Sequence, residues 1–431
     1  MSAAHATPSG PVPDGSAPDG SAPGALARLI GPLGRDGFLE RHWERAPLHV
    51  GRDRADHFAD LVSVAAIEVL LARGEVRFPD LQLLRTGAPV PVEDYTDAAG
   101  HALARRVAHH HAEGATLVLS QAHRRLDALG ALVRDLEHEL GWRCQANVYL
   151  SPPGGSGFAP HHDTHDVFVL QAAGRKTFRF HTGGVDLPFP DERYDPTLAG
   201  PRDLEASVEL GPGDTLYIPR GVAHDAVAAD DGASLHVTLG VFPIVVRDLL
   251  IEAVRVAAER DVALRRSVAP DARSAGPDLP DGSDPAGREA LVAALVAGLG
   301  GDAIAVALSR LRDEVAIGSV PDARGLLAAS APGPEPDVET VLVVDPAAPV
   351  RLERLGRSAR LRRAGEVLEF DGAGAEAIEA LLARGRLAVG ELPGLAPERR
   401  VGFARRLLAQ GICRAERPGH PPPVAGSVPV R

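Results

Sequence analysis

Cysteine is nearly absent from this chain: Cys144 and Cys413 are the two in 431 residues. They lie far apart and offer neither a disulfide framework nor a paired metal-binding spacing. A reducing cytoplasm is the simplest expectation for such a sequence. Long apolar runs are missing too. Stretches such as 290–299 are too short to span a bilayer, and no charged-then-apolar signal opens the sequence, so we expect a protein that is neither secreted nor embedded in a membrane. Positive charge is in deficit, with 46 basic residues against 58 acidic ones and a net charge of -12. That balance disfavours general affinity for nucleic acid or anionic membrane, while leaving room for a local basic groove. Lysine occurs once, at Lys176, so 45 of the 46 basic residues are arginine. What is present is apolar material: 45% of the residues are hydrophobic, enough at this length for two or three domains with real cores.

The chain changes character along its length. Residues 1–24 contain Pro13-Asp14-Gly15-Ser16-Ala17 repeated as Pro18-Asp19-Gly20-Ser21-Ala22, which cannot bury enough apolar surface to offset the entropy of ordering. We expect a disordered tail there and another at 417–431. From 25 to 143 the pattern is helical, with Leu26, Leu29, Ile30 and Leu33 at helical spacing and the leucines of 122–140 repeating it. His109, His110 and His111 suggest a metal tract, but consecutive residues fan around a helix, and a solvated helix end is the better reading. Between 147 and 243 the period becomes strand-like. Strands are expected at 147–150, 166–171, 176–180, 215–218 and 235–241, punctuated by Pro/Gly turns at 151–157, 172–175 and 211–214. Many short strands of this kind favour a closed or two-sheet all-β core, jelly roll or cupin, whose interior can hold a small ligand.

Within that core, His161 and Asp163 are followed 61 residues later by His224. Two imidazoles and one carboxylate are the ligand set of a non-haem Fe(II) facial triad with open coordination positions. Residues i and i+2 of a strand share a face, so His161 and Asp163 can grip one ion while His162 points away. With 17 histidines in the chain, an H-x-D triplet also arises by chance. The lone lysine adds weight. Lys176 shares a strand face with Phe178 and Phe180, where an unpaired charge costs on the order of 3 kcal/mol or more, and an anionic ligand would relieve it.

Several ordered segments resemble one known family. The runs Asn147-Val148-Tyr149-Leu150-Ser151-Pro152-Pro153, Gly157-Phe158-Ala159-Pro160-His161-His162-Asp163, Asp166-Val167-Phe168-Val169-Leu170-Gln171 and Gly174-Arg175-Lys176 are similar to the JmjC-type ribosomal oxygenases. So are the segment from Phe38 through Trp43 to Leu48 and the turn from Gly211 through Tyr217 to His224. The resemblance covers roughly 26–243. It implies a double-stranded β-helix of the cupin/JmjC jelly-roll type, with a helical lead-in, in a cytoplasmic Fe(II)- and 2-oxoglutarate-dependent protein hydroxylase. It implies iron ligation by His161, Asp163 and His224, and pairing of Lys176 with the distal carboxylate of 2-oxoglutarate. Asn147, Tyr149 and Thr238 fall where polar contacts to the cosubstrate or substrate are made, although each also has an ordinary structural reading as a buried strand residue. His162, His165 and His236 read as neighbours of the site rather than ligands.

Beyond the core (25–245), a helical pattern at 246–266 is followed by a Pro/Gly/Asp-rich linker near 267–288 and a second helical pattern at 290–311. The resemblance implies that the region 246–330 makes a homodimer. Residues 338–416 show strands at 341–344 and 367–370 and helices at 374–384 and 397–410, an order compatible with a winged-helix-like α+β module. Arg351, Arg354, Arg357, Arg360, Arg362 and Arg363 form a basic run between those two strands. A solvated face is the commoner meaning of such a run on an acidic protein, and a nucleic-acid contact the rarer one. The functional expectation is hydroxylation of a ribosomal protein at histidine or arginine. The alternatives are oxidation of a peptide or small biosynthetic substrate, demethylation through the same iron chemistry, and a non-catalytic metabolite-sensing cupin with a partner-binding module.

Overall fold

The computed structural model describes residues 24–85, 87–192, 203–267, 285–321, 335–344 and 350–416. The chain divides into two compact units, Met1–Val315 and Ala316–Arg431, each described by itself. The expected tails at 1–24 and 417–431 and the linker near 267–288 lie almost wholly outside the described residues.

The first unit begins with helices α1 (Ala25–Ile30), α2 (Gly34–Arg41), α3 (Val64–Ala72), α4 (Val92–Tyr95), α5 (Ala104–Ala112) and α6 (Asp127–Leu140). The helical spacing is realised in α1, where Leu26, Leu29 and Ile30 are buried, and in α6, where Leu129, Leu132 and Leu136 are. The single helix expected over 122–140 is split. A 3-10 turn covers Ala122–Arg124, and Leu126 takes an extended conformation before α6 starts. Gly130 explains the join: a Cβ there would sit 2.7 Å from the His123 carbonyl oxygen, so the turn packs directly on the first turn of α6. His109, His110 and His111 lie in the last turn of α5, His109 and His110 toward the Glu113 carboxylate and His111 turned away to the Ala115 carbonyl.

Two antiparallel sheets follow. The larger has the order β1-β9-β6-β11-β5-β4-β2-β3, from β1 (Leu48–Val50), β2 (Leu81–Arg85), β3 (Ala88–Pro89), β4 (Thr116–Leu119), β5 (Arg143–Ser151), β6 (Asp166–Ala173), β9 (Thr215–Ile218) and β11 (Ser234–Phe242). The smaller has the order β10-β7-β8, from β7 (Lys176–His181), β8 (Leu204–Leu210) and β10 (His224–Ala228). This is the expected jelly-roll core. The apolar run of β6 shows why the large sheet is central: Phe168 and Leu170 face the core shared with the helices, while Val167 and Val169 face the core between the sheets with Phe178, Phe180 and Ile218. A strand buried on both faces reads as continuous hydrophobicity. On β11, by contrast, Val237, Leu239 and Val241 enter the helix-side core and leave His236, Thr238 and Gly240 on the opposite face.

After the barrel come α7 (Val246–Arg260), α8 (Pro285–Gly298) and α9 (Ala303–Gly318). The pattern expected to continue over 290–311 is two helices rather than one, bent by 72° across the break. Gly301, at φ +67°, supplies a left-handed residue that a continuous helix excludes. Among the described residues no single helix is long and apolar enough to cross a membrane.

The second unit has two three-stranded sheets. One orders β16-β12-β17, from β12 (Val341–Val344), β16 (Arg386–Ala388) and β17 (Cys413–Glu416). The other is the meander β13 (Arg351–Leu355), β14 (Ser358–Arg363) and β15 (Glu366–Phe370). Helices α10 (Gly372–Arg384) and α11 (Pro397–Ala409) complete it, close to the expected positions. The arginine run lies between the two expected strands, as anticipated, and itself folds into a hairpin of β13 and β14. Four of its six charges are seen to be answered in place, Arg354 by Glu379, Arg360 by Glu369, Arg362 by Glu353 and Arg363 by Glu366.

Candidate metal centre

His161 reaches the site from an isolated bridge rather than a strand. Its N–H donates to the His224 carbonyl at 3.0 Å and the His224 N–H donates back at 2.7 Å. Asp163 follows in a loop that precedes β6, and His224 opens β10. The strand geometry expected of His161 and Asp163 is thus replaced by one bridge and a bend, because residues 162–165 pair with no strand. The shared face survives. Ligand atoms of His161, Asp163 and His224 all lie within 4.8 Å of one another, with Asp163 oxygens 4.0 Å from His161 Nε2 and 3.7 Å from His224 Nε2.

The two imidazoles are oriented alike. His161 Nδ1 lies 2.9 Å from the Ala159 carbonyl and His224 Nδ1 lies 2.9 Å from the Val222 carbonyl. Donation from Nδ1–H to those carbonyls fixes the tautomer and leaves both Nε2 lone pairs facing the carboxylate, the arrangement metal-binding histidines adopt. Burial, then the neighbouring His161, pulls His224 down to about 4, so it is neutral at physiological pH and able to ligate. Burial pushes the Asp163 carboxyl up, but the surrounding imidazoles, His224 foremost, outweigh it and hold it below the usual carboxylate range. Two neutral imidazoles and a carboxylate could hold Fe(II) and leave positions open.

The triad lies in the wall of a cavity of about 120 Å³ between the sheets, which Asn147, Tyr149, Lys176, His236 and Thr238 also line. That is far below the roughly 300–1,000 Å³ of pockets for drug-sized ligands and suits a small acid. Strand register orders its contents. On the small sheet His224 pairs with Phe180 and Ala228 with Lys176, so the metal ligand and the lysine are four residues apart, about 13 Å along the strands.

Lys176 is 2% exposed. Its Nζ donates to Ser151 Oγ at 3.0 Å, and Thr116 Oγ1 donates to the same oxygen at 3.1 Å. No carboxylate pairs with it among the described residues. Burial alone lowers its pKa to about 7. His236 stacks on Tyr149 with centroids 4.8 Å apart and planes 6° from parallel. Burial, and then the Lys176 charge, push His236 well below its usual range, which fixes it as a neutral wall. Tyr149 is raised by burial and by Asp163, so its phenol stays protonated. The Asn147 carbonyl oxygen accepts from Gln121 N and Gln145 Nε2, both at 3.0 Å, which leaves its amide N–H groups for the cavity. Thr238 lies level with Asn147 on the adjoining strand.

His161, Asp163, His224, Lys176, Asn147, Tyr149 and Thr238 all line this one cavity, with His165 and His236 beside them, whereas His162 is not in its lining. Three others escaped notice. Ser151 shares the strand parity of Asn147 and Tyr149 and was legible; Thr116 is brought alongside only by sheet pairing. Asp225, next to His224, is buried and takes a two-pronged bond from Arg179 at 2.6 and 2.7 Å.

Residues 120–249 match the JmjC domain family, a span that includes the triad, Lys176 and all strands lining the cavity. The chain is 33% identical over 226 residues to the bifunctional lysine-specific demethylase and histidyl-hydroxylase NO66 of Drosophila grimshawi, covering 50% of this chain and 30% of that protein. It is 32% identical over 252 residues to ribosomal oxygenase 1 of Gallus gallus, covering 56% of this chain and 41% of that protein. Residues 120–249 thus carry a JmjC domain, and over about half its length the chain is similar to these JmjC oxygenases. It spans less than half the length of these two ribosomal oxygenase relatives. Among solved structures, the ribosomal oxygenase YcfD of Escherichia coli superimposes with a TM-score of 0.52 at 21% identity, covering 89% of this chain and 98% of that one. At that identity the likeness speaks for the fold alone.

Proposed function

We propose that this chain is a 2-oxoglutarate- and Fe(II)-dependent oxygenase that hydroxylates a side chain of a ribosomal protein, histidine or arginine. The observation that carries this reading is the buried, carboxylate-free ammonium of Lys176 in the same cavity as the triad. One structure of the E. coli YcfD protein holds cobalt and 2-oxoglutarate, which supports the same pair of groups here. When bound, Fe(II) and 2-oxoglutarate supply the oxidising power: O2 converts the keto acid to succinate and CO2 and leaves its second oxygen atom in a substrate C–H bond.

The chain's own residues prepare that chemistry. His161, Asp163 and His224 are the proposed ligands, each held by a backbone contact before any metal arrives. Lys176 offers its ammonium to the far carboxylate, and that anion removes the cost of a lone buried charge. Ser151, itself held by Thr116, fixes the ammonium in one place. Asn147, Tyr149 and Thr238 present polar groups between the two ends, and the His236 ring closes the wall against water.

Partners follow from the surface. Val246, Leu250 and Ile251 on α7, Val292 and Val296 on α8, and Ile304 on α9 are exposed, which supports homodimer formation through these helices. Buried free Cys144 and Cys413 fit a cytoplasmic setting. The second unit fits the winged-helix-like module by its helices and hairpin; its paired arginines lend no support to nucleic-acid binding.

Anaerobic titration with Fe(II) and 2-oxoglutarate, followed by succinate detection on admitting air, tests the enzyme reading. Absence of both the chelate absorption and succinate would overturn it. Intact masses of ribosomal proteins with and without the enzyme test the substrate: gain of one oxygen on one protein supports hydroxylation, whereas loss of a methyl group would point to the demethylase activity named for the Drosophila relative.

A further inference from the structure

The triad comes from separate stretches of chain, and three ties bring them together. Two are backbone: the reciprocal bonds of His161 and His224, and donation from Gly221 N to the Asp163 carbonyl at 2.8 Å. The third is made by side chains. Asp166, three residues beyond Asp163, is fully buried and accepts from Tyr217 Oη at 2.6 Å and from Arg220 Nη1 at 2.9 Å. Arg220, four residues before His224, is 6% exposed, and its Nη1 also donates to Glu44 Oε1 at 2.6 Å. Glu44 in turn donates its N–H to Tyr217 Oη at 3.0 Å, from a backbone at φ +56°. A glutamate in the left-handed region is costly and persists only where its surroundings fix it.

We propose that Arg220 and Asp166 are positioning residues of the metal centre: their ion pair sets the spacing between the segment that carries Asp163 and the segment that carries His224, with Glu44 as an outer brace. The inference rests on the metal reading above. A buried ion pair is a poor device for stability alone, because desolvating two charges cancels most of their attraction. One nitrogen, Arg220 Nη1, bonds both carboxylates, so the cation ties Asp166 to Glu44, which an apolar pair cannot do and a lysine on its shorter, more flexible stem does less firmly. The pair also stands where a spacer is needed, since its two members leave the ligand segments in opposite directions along the chain.

Co(II) binding to the full chain, read by visible absorption, tests this, with apo melting recorded alongside. Asp166→Asn and Arg220→Met are expected to weaken Co(II) binding by roughly 10–100-fold, the range seen for partners behind metal ligands, and to alter the Co(II) bands. Arg220→Lys should fall between these and wild type, and Glu44→Gln should change affinity by less than about threefold. Wild-type affinity and spectrum in variants that merely melt earlier would reduce the pair to a structural role and overturn the proposal. If the first two variants fail to fold, Arg220→Lys decides in the same way. Should the wild-type chain itself take up no Co(II), the metal reading fails and the positioning role with it; tight wild-type binding with unaffected variants overturns the positioning role only.

Discussion

Arg362 in the second unit and Lys176 in the barrel are both buried cations, 4% and 2% exposed, on strands of antiparallel sheets. Arg362 has a carboxylate at 2.6 Å, supplied by Glu353 of the neighbouring strand. Lys176 has the hydroxyl of Ser151. A cation buried for structure arrives with its own counter-charge, because the chain must be stable without help. One buried beside a cavity without a counter-charge marks the place where a ligand completes the pairing. The same contrast explains why the arginine-rich hairpin, despite its composition, is the less functional-looking of the two regions.

The comparison can be broken or sharpened by removing one group at a time. Asp163→Ala should abolish succinate formation while leaving the melting of the second unit unchanged; residual turnover above a metal-free control would count against the triad. Lys176→Ala is expected to weaken 2-oxoglutarate on the order of 100-fold without lowering apo stability, because it deletes an unpaired buried charge. A stability loss with unchanged affinity would make Lys176 structural, like Arg362. Glu353→Ala should do the reverse. It takes a carboxylate from Arg362 and should cost about 2 kcal/mol in denaturant unfolding, with 2-oxoglutarate affinity unaltered.

The pH dependence is a finer test. Burial holds the Lys176 pKa near 7 in the free protein, and the protonated form is the one that pairs with a carboxylate. Affinity for 2-oxoglutarate should therefore be full below about pH 7 and fall as the pH rises, approaching tenfold per unit. Each binding event above that pH takes up a proton, so calorimetric enthalpies should vary with the buffer's ionisation heat. Ser151→Ala gives the smallest change, about fivefold in affinity, for the loss of a hydroxyl that orients the ammonium but does not itself reach the carboxylate.

Much of this was legible in residue order because the signals are local. The strand at 235–241 announces itself by alternation and the one at 215–218 by the Gly/Pro turn at 211–214 before it, and β9 runs over Thr215–Ile218 as expected. Strands β1 to β4, β8, β10, β13, β14, β16 and β17 were not legible. The alternation of β8 carries exposed glutamates, and β13 and β14 are rich in arginine, so hydrophobic period gives no lead. The helix break near Gly301 was hidden because apolar residues keep helical spacing on both sides of it.

Sequence alone determined the chemistry on offer: two imidazoles and a carboxylate at His161, Asp163 and His224, and a lone lysine on an inward strand face at Lys176. Those are properties of residue type and period, which need no knowledge of distant neighbours. Tertiary structure decided the rest. Only folding places Nε2 of His224 3.7 Å from a carboxylate 61 residues earlier, buries Lys176 beyond water's reach, and gives Arg362 a counter-ion while leaving Lys176 without one among the described residues. Distance across a sheet and desolvation arise from contacts between residues remote in the chain, and no local pattern encodes them.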